Sequence, residues 1–403
     1  MRAWRACAAL VGLAVLAARA EPAADGPAAR GKYLADIGDC VSCHTRAGGA
    51  PYAGGVGFDT PVGTIYSTNI TPDASTGIGG WSLGQFRRAM QEGRAADGSR
   101  LFPVFPYPAF TKLTDADIDD LYAYLRSLAP VRSVPPSNGT AFALRWPMAL
   151  WNSLSFSPGR FAGDAAKSPE WNRGAYLVQG LGHCGACHSP RNWMLAEKAD
   201  GALTGGTLTA LVAPGRNRTW SAVNLTPAKE GLAAWSVTDL AHYLRSGFSP
   251  RAGTFGPMNE VIGNSLRFLR PDDAQAIAVY LKSLPAAATE TDPVAAELSK
   301  AGAPVYRARC EKCHGAAGRG GLFGGPPLAG SATVQARDPA SLINIILYGQ
   351  STPPDAALGS WETMQGYADV LDDAEIAAVC NFIRGSWGNR GAAVTAARVR
   401  AQR

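Results

Sequence analysis

Several things are scarce in this sequence, and each scarcity excludes a class of protein. Charged residues are only 17% of the 403, with 38 basic against 32 acidic and no block of either sign. A nucleic-acid surface, which needs a clustered basic face, is therefore not expected. Disorder is not expected either, because 46% of the residues are hydrophobic. After the first twenty residues no segment reaches 18 uninterrupted apolar residues, so the rest of the chain has no helix of its own to span a bilayer. Little argues for sheet, and no acid/base dyad, nucleophile triad or nucleotide loop stands out. The run Gly318-Arg319-Gly320-Gly321 follows a cysteine pair rather than a strand, which is the wrong setting for a phosphate cradle. No nucleotide cofactor and no catalytic residue is expected on this chain.

The first twenty residues read as an export signal. Arg2 and Arg5 form a basic start, Ala8 to Ala17 an apolar stretch, and Ala18-Arg19-Ala20 a cleavage site before Glu21. Removing residues 1–20 takes away Arg2, Arg5 and Arg19 and leaves 35 basic residues against 32 acidic, a net +3. Cys7 lies deep inside the signal and cannot become a lipid-bearing first residue. The product is expected to be periplasmic or peripheral to a membrane.

Self-similarity organises the remainder. Arg30-Gly31-Lys32-Tyr33-Leu34, Arg173-Gly174-Ala175-Tyr176-Leu177 and Gly302-Ala303-Pro304-Val305-Tyr306 each precede a cysteine pair, as opening helices would. Thr68-Asn69-Ile70-Thr71-Pro72 with Gly80-Trp81-Ser82 is echoed by Val223-Asn224-Leu225-Thr226-Pro227 with Ala234-Trp235-Ser236, so the first two units are closer to each other than to the third. Each unit ends in an amphipathic helix, predicted over Leu113 to Leu128, Leu269 to Leu284 and Leu371 to Trp387, with acids crowding the first turn. The division is 21–135, 170–286 and 300–390, with Pro/Ala-rich linkers over 136–169 and 287–299 and a basic tail over 391–403. The fold class is mainly α, three tandem helical domains with long Gly/Pro loops.

Beyond the signal seven cysteines remain, and six fall into three identical frames: Cys40-Val41-Ser42-Cys43-His44, Cys184-Gly185-Ala186-Cys187-His188 and Cys310-Glu311-Lys312-Cys313-His314. Cys-x-x-Cys-His is the attachment signature of c-type haem. One helical turn brings two thiols to the two vinyl groups of one porphyrin, and the next imidazole becomes the proximal iron ligand. A disulfide framework would not place histidine after every second cysteine. A zinc ribbon pairs its cysteine couples at short range, and a thioredoxin-like motif is usually single and set in a βαβ unit. Three covalent haems c, held as three cytochrome c-like domains, are therefore expected. Cys380 sits beside Val379 and Phe382 in the last helix and reads as core packing.

A second axial ligand is sought among five methionines: Met90, Met148, Met194, Met258 and Met364. Met258, in Phe255-Gly256-Pro257-Met258, and Met364, in the comparable loop between Trp361 and Tyr367, are the candidates for the second and third irons. In the first unit the matching position is Phe105, which cannot ligate iron. Met90 falls at a helical packing position and Met148 in the linker, so the first haem is expected to be five-coordinate or to have an unusual sixth ligand. His183 and His242 are assigned surface or packing roles, with propionate contact the weaker alternative for His242.

These motifs, with Gly63-Thr64-Ile65-Tyr66-Ser67, Phe102-Pro103, Pro106-Tyr107-Pro108, Arg145-Trp146-Pro147, Gly180-Leu181-Gly182-His183 and Pro326-Pro327-Leu328-Ala329-Gly330, cover nearly all of the chain beyond the signal. Their run resembles the three-haem cytochrome c subunits of bacterial membrane-bound alcohol, gluconate and fructose dehydrogenases; similar subunits serve some molybdenum-containing aldehyde and nicotinate oxidoreductases. The resemblance implies a large dehydrogenase partner holding flavin, pyrroloquinoline quinone or a molybdenum cofactor. It also implies delivery of electrons to membrane ubiquinone or a terminal oxidase, on the periplasmic face of the inner membrane. Two departures stand out: Phe105 replaces the family's methionine, and Met364-Gln365 replaces a Met-Pro pair. Peripheral membrane contact is assigned to Val394-Thr395-Ala396-Ala397-Arg398-Val399-Arg400 as a short basic amphipathic helix, with a frayed terminus as the alternative. Two other functions remain open: a haem enzyme acting at an open first iron, and a free periplasmic shuttle.

Overall fold

Three glycines set how the helices cross. In the computed structural model, which describes residues 26–60, 63–138, 147–213, 216–288, 292–321, 324–350 and 361–403, Gly31, Gly174 and Gly302 each bring an opening helix onto the backbone of a closing helix. A Cβ on Gly31 would collide with the carbonyl of Asp120, one on Gly174 with that of Ala276, and one on Gly302 with that of Ala378. The crossing helices are Pro27–Ile37 on Asp115–Ser127, Pro169–Tyr176 on Pro271–Ser283, and Ala296–Ala301 with Ala303–Arg309 on Asp373–Gly385. These glycines precede Cys40, Cys184 and Cys310 by nine, ten and eight residues. The longest of the three spacings contains a π-helical turn, Leu177–Leu181, which accommodates an inserted residue. The expected export signal, residues 1–20, lies outside the described residues.

A middle helix completes each frame: Leu83–Glu92, Val237–Ser246 and Ala340–Tyr348. The first two open on capping boxes, Ser82 with Gln85 and Ser236 with Asp239, and stop at Gly93 and Gly247 in left-handed conformation. The closing helices begin and end within two residues of the expected bounds. Their acids are used differently. Asp372 and Glu375 form a capping box, Thr114 rather than an acid caps the first closing helix, and Asp273 turns away to pair with Arg173.

The first two units share one core. Leu34, Ile118, Leu121 and Leu125 pack in a continuous cluster with Leu177, Leu181, Ile277 and Leu281, whereas the third unit has its own core around Tyr306, Ile343, Leu347, Ile376 and Val379. A fully buried aliphatic side chain contributes about 2 kcal/mol, so joining two small units in one cluster gives each a stabilisation that its own residues could not supply.

Their junction is reciprocal. The Tyr33 hydroxyl donates to Asp273 Oδ2 at 2.5 Å and accepts the N–H of Arg270 at 3.2 Å. Tyr176, placed after Gly174 as Tyr33 is after Gly31, donates to Asp117 and accepts the N–H of Thr114 at 3.1 Å. Arg270 and Thr114 are the N-cap residues of the two closing helices, so an approximate two-fold relates the units. Each unit also has a fork-shaped ion pair from its opening helix, though to a different turn of the closing helix: Arg30 to Asp120 at 2.6 and 2.7 Å, and Arg173 to Asp273 at 2.7 and 2.9 Å.

The few strands are hairpins that the sequence did not announce. β1 (Gly57–Thr60) pairs with β2 (Gly63–Tyr66), β3 (Gly206–Ala213) with β4 (Arg216–Ala222), and β5 (Phe248–Ser249) with β6 (Ala252–Gly253), all antiparallel. The third unit docks on β4 through its middle helix. Ser221 N–H donates to Ser341 Oγ at 2.9 Å, Ser341 Oγ–H to Ser221 O at 2.8 Å, and Asn344 Nδ2 to Thr219 O at 2.8 Å. The Arg218 guanidinium lies 3.5 Å from the centre of the Tyr348 ring.

Two expected coil regions contain helices. Within the first linker, Pro147–Ser155 is held to the first unit by Tyr107, whose hydroxyl donates to Asn152 Oδ1 at 2.5 Å, and to the second by Trp151 Nε1, which donates to Met194 O at 2.9 Å. The tail forms helix Ala396–Arg400. It is not frayed, and its apolar residues are turned onto the third unit. Val394 and Val399 are buried, Asn381 clamps Val394 through both its backbone groups, and Arg398 pairs with Asp338 at 2.7 Å while Arg400 and Arg403 pair with Asp373. Acids of the third unit thus bind the arginines that suggested a membrane-facing helix. Among the described residues no helix is long and apolar enough to cross a membrane.

Candidate haem-binding sites

Each cysteine frame occupies one short helical turn: Cys40–His44, then Gly185–His188 after Cys184, and Glu311–His314 after Cys310. The three-residue spacing of the thiols puts both on one side of the turn. In the first two units a left-handed residue, Asp39 at φ 55° or His183 at φ 34°, redirects the chain between opening helix and cysteine turn. Burial pushes the Cys40, Cys43 and Cys184 thiols up to about 12 and the Cys310 thiol to about 11. Such thiols are the opposite of the activated thiolates of a redox motif. The described cysteines form no disulfide, and among the described residues no three His, Cys, Asp or Glu side chains converge on a metal site. The disulfide, zinc and thioredoxin-like alternatives therefore have no geometric support.

The imidazoles are oriented in one way throughout. Nδ1 of His44 lies 2.7 Å from Thr68 O, Nδ1 of His188 2.8 Å from Val223 O, and Nδ1 of His314 2.8 Å from Pro326 O. A carbonyl can only accept, so the proton is on Nδ1 and the Nε2 lone pair is left for a metal. Burial, opposed by these bonds, lowers each histidine's pKa and keeps the ring neutral, as ligation requires. Behind His314, Gly325 approaches so closely that a Cβ would strike the ring.

The accepting carbonyls are themselves fixed. Asn69 Oδ1 accepts from Thr71 N at 2.9 Å and Thr71 Oγ1 at 2.8 Å, while its Nδ2 donates to Val131 O at 2.7 Å. Asn224 repeats this with Thr226 at 2.8 and 2.7 Å and with Ala287 O at 2.8 Å. The Asn-x-Thr element thus ties the histidine's acceptor strand to the segment that leaves the closing helix. In the third unit Asn389 does related work, accepting from Gly330 N at 2.8 Å and donating to Leu328 O at 3.0 Å. Asn69 and Asn224 were legible as a repeat but not as part of the site, and Asn389 carried no such signal.

The two remaining ligand candidates are in distinct settings. Met258 stands at the start of helix Pro257–Asn264, after Gly256 at φ 51°, where a side chain would run into the Trp220 ring. Met364 exchanges backbone hydrogen bonds with Gln350 at 2.9 and 3.0 Å and lies half-buried against the third core. Met90 is core packing, as its helical position implied, and Cys380 is likewise buried in the third core. His183 stacks edge-on to Phe110 at 5.7 Å between the first two units, and His242 Nδ1 bonds locally to Phe248 O at 2.9 Å.

Two cysteine thiols on one turn, followed by a neutral Nε2-presenting imidazole, fit the attachment edge and proximal face of haem c. Comparison with known proteins agrees. Residues 28–129 match the family model described as cytochrome c, and residues 297–383 match cytochrome c oxidase, cbb3-type, subunit III. The chain is 41% identical over 410 residues to the gluconate 2-dehydrogenase cytochrome c subunit of Pantoea cypripedii, covering 94% of this chain and 89% of that one. It is 39% identical over 406 residues to the alcohol dehydrogenase (quinone) cytochrome c subunit of Gluconobacter oxydans, covering 96% and 84%. The chain belongs to this cytochrome c subunit family. The fructose dehydrogenase cytochrome subunit of Gluconobacter japonicus is 35% identical over 422 residues, covering 94% and 84%. Membership carries covalent haem c and electron transfer with it. The two domain matches fall on the first and third units; the second is tied to the first by the approximate two-fold described above.

Proposed function

We propose that this cytochrome c subunit holds three haems c in three tandem cytochrome c-like domains, within 21–135, 170–286 and 300–390, and serves as the electron-transfer arm of a dehydrogenase complex. Cys40 and Cys43, Cys184 and Cys187, and Cys310 and Cys313 anchor the porphyrins; His44, His188 and His314 are proximal ligands, and Met258 and Met364 distal ones. Haem supplies one-electron redox chemistry when bound. The protein holds each imidazole neutral and in one tautomer, fixes its orientation through a main-chain carbonyl, and packs the first two units on a shared core. The observation that carries this reading is the thrice-repeated Nδ1-to-carbonyl bond behind a Cys-x-x-Cys-His turn.

The names of the relatives support a partner that oxidises an alcohol or sugar acid. We assign that partner the flavin, pyrroloquinoline quinone or molybdenum cofactor, and assign ubiquinone or a terminal oxidase as electron acceptor. The leader-like residues 1–20 support export to the periplasmic face of the inner membrane. Expression with a c-type haem maturation system, followed by haemochrome analysis and mass spectrometry of the secreted chain, is expected to give three haems and a start at Glu21. Affinity capture from the native host should bring down a large dehydrogenase subunit. A monomer with no such companion would instead favour a free shuttle.

A further inference from the structure

Hydrogen bonds, rather than sequence similarity, set the correspondence between the distal loops of the first two units. Both loops leave a middle helix at a left-handed glycine, Gly93 at φ 63° and Gly247 at φ 71°. Both then return to that glycine's carbonyl: Leu101 N–H donates to Gly93 O at 2.7 Å, and Thr254 N–H to Gly247 O at 2.8 Å. A tight turn follows in each, closed by Phe105 N–H on Phe102 O at 3.0 Å and by Met258 N–H on Phe255 O at 3.1 Å. Phe105 therefore stands where the second unit presents Met258, at the same step of the same turn.

The phenyl ring has no lone pair to offer a metal. It is half-buried, edge-on to Phe110 at a centroid distance of 5.4 Å, and Phe110 in turn meets His183 at 5.7 Å. Met90 does not take over. It occupies the same place in its helix as Leu244, three residues before the terminal glycine, and both are buried in the shared core. Because the second unit needs an apolar residue there while keeping Met258, that position is explained by packing. Met148 is the rival. It is buried on helix Pro147–Ser155, one turn from the Asn152 that Tyr107 holds.

We propose that the haem attached at Cys40, Cys43 and His44 has no sixth ligand from this chain and takes up a small neutral diatomic ligand, of the carbon monoxide or nitric oxide class, on the side lined by Phe105. The apolar rings of Phe105 and Phe110 suit a neutral molecule of that size and offer it no counter-charge. This rests on the proposed attachment of three haems, so haem content is measured first.

The test uses the full-length haem-loaded protein. Haemochrome analysis must give three haems per chain; fewer would overturn the parent reading and this one with it. With three present, the ferric spectrum is expected to show a high-spin fraction of about one third, and the dithionite-reduced protein to bind carbon monoxide at about one haem in three. Phe105→Met should abolish the high-spin fraction, add a methionine-to-iron charge-transfer band, and slow carbon monoxide uptake about tenfold or more. Met90→Leu and Met148→Leu should bind it as the parent does. Three low-spin haems with no uptake would overturn the proposal while leaving electron transfer intact. Uptake that appears only in Met148→Leu would also overturn it, by identifying Met148 as the ligand.

Discussion

The first pair of units and the third unit are built on the same helix crossing but joined by different chemistry. The pair shares a buried apolar cluster, and a tyrosine from each opening helix reaches the other unit's closing helix. The third unit has a core of its own and is attached through polar contacts to the edge of β4. Shared apolar area makes two units unfold as one; a hydrogen-bonded edge leaves its partner able to open separately. The distribution of cores therefore predicts two cooperative bodies in a chain with three cysteine frames.

The largest perturbation aims at a crossing. Gly174→Val forces a branched side chain into the Ala276 carbonyl, and overpacking against backbone should cost about 3 kcal/mol or more. Hydrogen exchange read by mass spectrometry should show protection falling across both 26–128 and 169–284 and surviving over 296–400. Loss confined to the second unit would break the idea of a common body.

Next is the ion pair at the two-fold junction. Burial works to raise the Asp273 pKa, but bonds from Arg173 and Tyr33 outweigh it and hold the carboxyl below its ordinary value. A depressed carboxylate pKa gives stability that is complete above the unfolded-state pKa and lost as pH falls through the folded one. The first body should thus weaken progressively below about pH 4. Asp273→Asn should lower its urea midpoint near neutrality by the equivalent of about 2 kcal/mol and flatten the acid limb. An unchanged acid limb in the variant would mean that another group governs the transition.

Much of this architecture could be read from the residues. The glycine before each cysteine pair, the acidic starts of the closing helices and the Asn-x-Thr echo all marked a repeat, because each has a side-chain or spacing signature. The acceptors for His44, His188 and His314 had none, since a main-chain carbonyl looks the same behind any residue. Hairpins β1–β2 and β3–β4 escaped for a related reason: pairing is set by register across a turn, and strands of four to eight residues in Gly/Thr-rich loops carry little apolar alternation. The tail's helix was legible, but the acids that pair with its arginines, Asp338 and Asp373, lie far away in sequence. Tyr33 and Tyr176 were visible as equivalent residues, but their partners in the opposite unit were not.

A smaller effect tests the attachment of the third unit. Ser341→Ala with Asn344→Ala removes side-chain bonds to β4, each worth about 1 kcal/mol. Exchange should quicken at the docking surface, in 216–222 and 340–348, while the common body of 26–128 and 169–284 keeps its midpoint. A drop in the first body's stability of similar size would show that the edge contact couples all three units.

The two-fold itself makes the finest prediction. Tyr33→Phe and Tyr176→Phe each delete one hydroxyl that donates to a carboxylate and accepts an N-cap amide. Each should cost about 1 kcal/mol. Asp273, however, retains the Arg173 fork after Tyr33→Phe, so this carboxylate stays compensated. Asp117 has no fork of that kind from Arg30, which binds Asp120 instead. Tyr176→Phe should therefore be the more damaging of the two by a few tenths of a kcal/mol, measured as paired urea midpoints at neutral pH. Equal losses would mean that the backbone amides at Arg270 and Thr114, rather than the carboxylates, dominate the clasp.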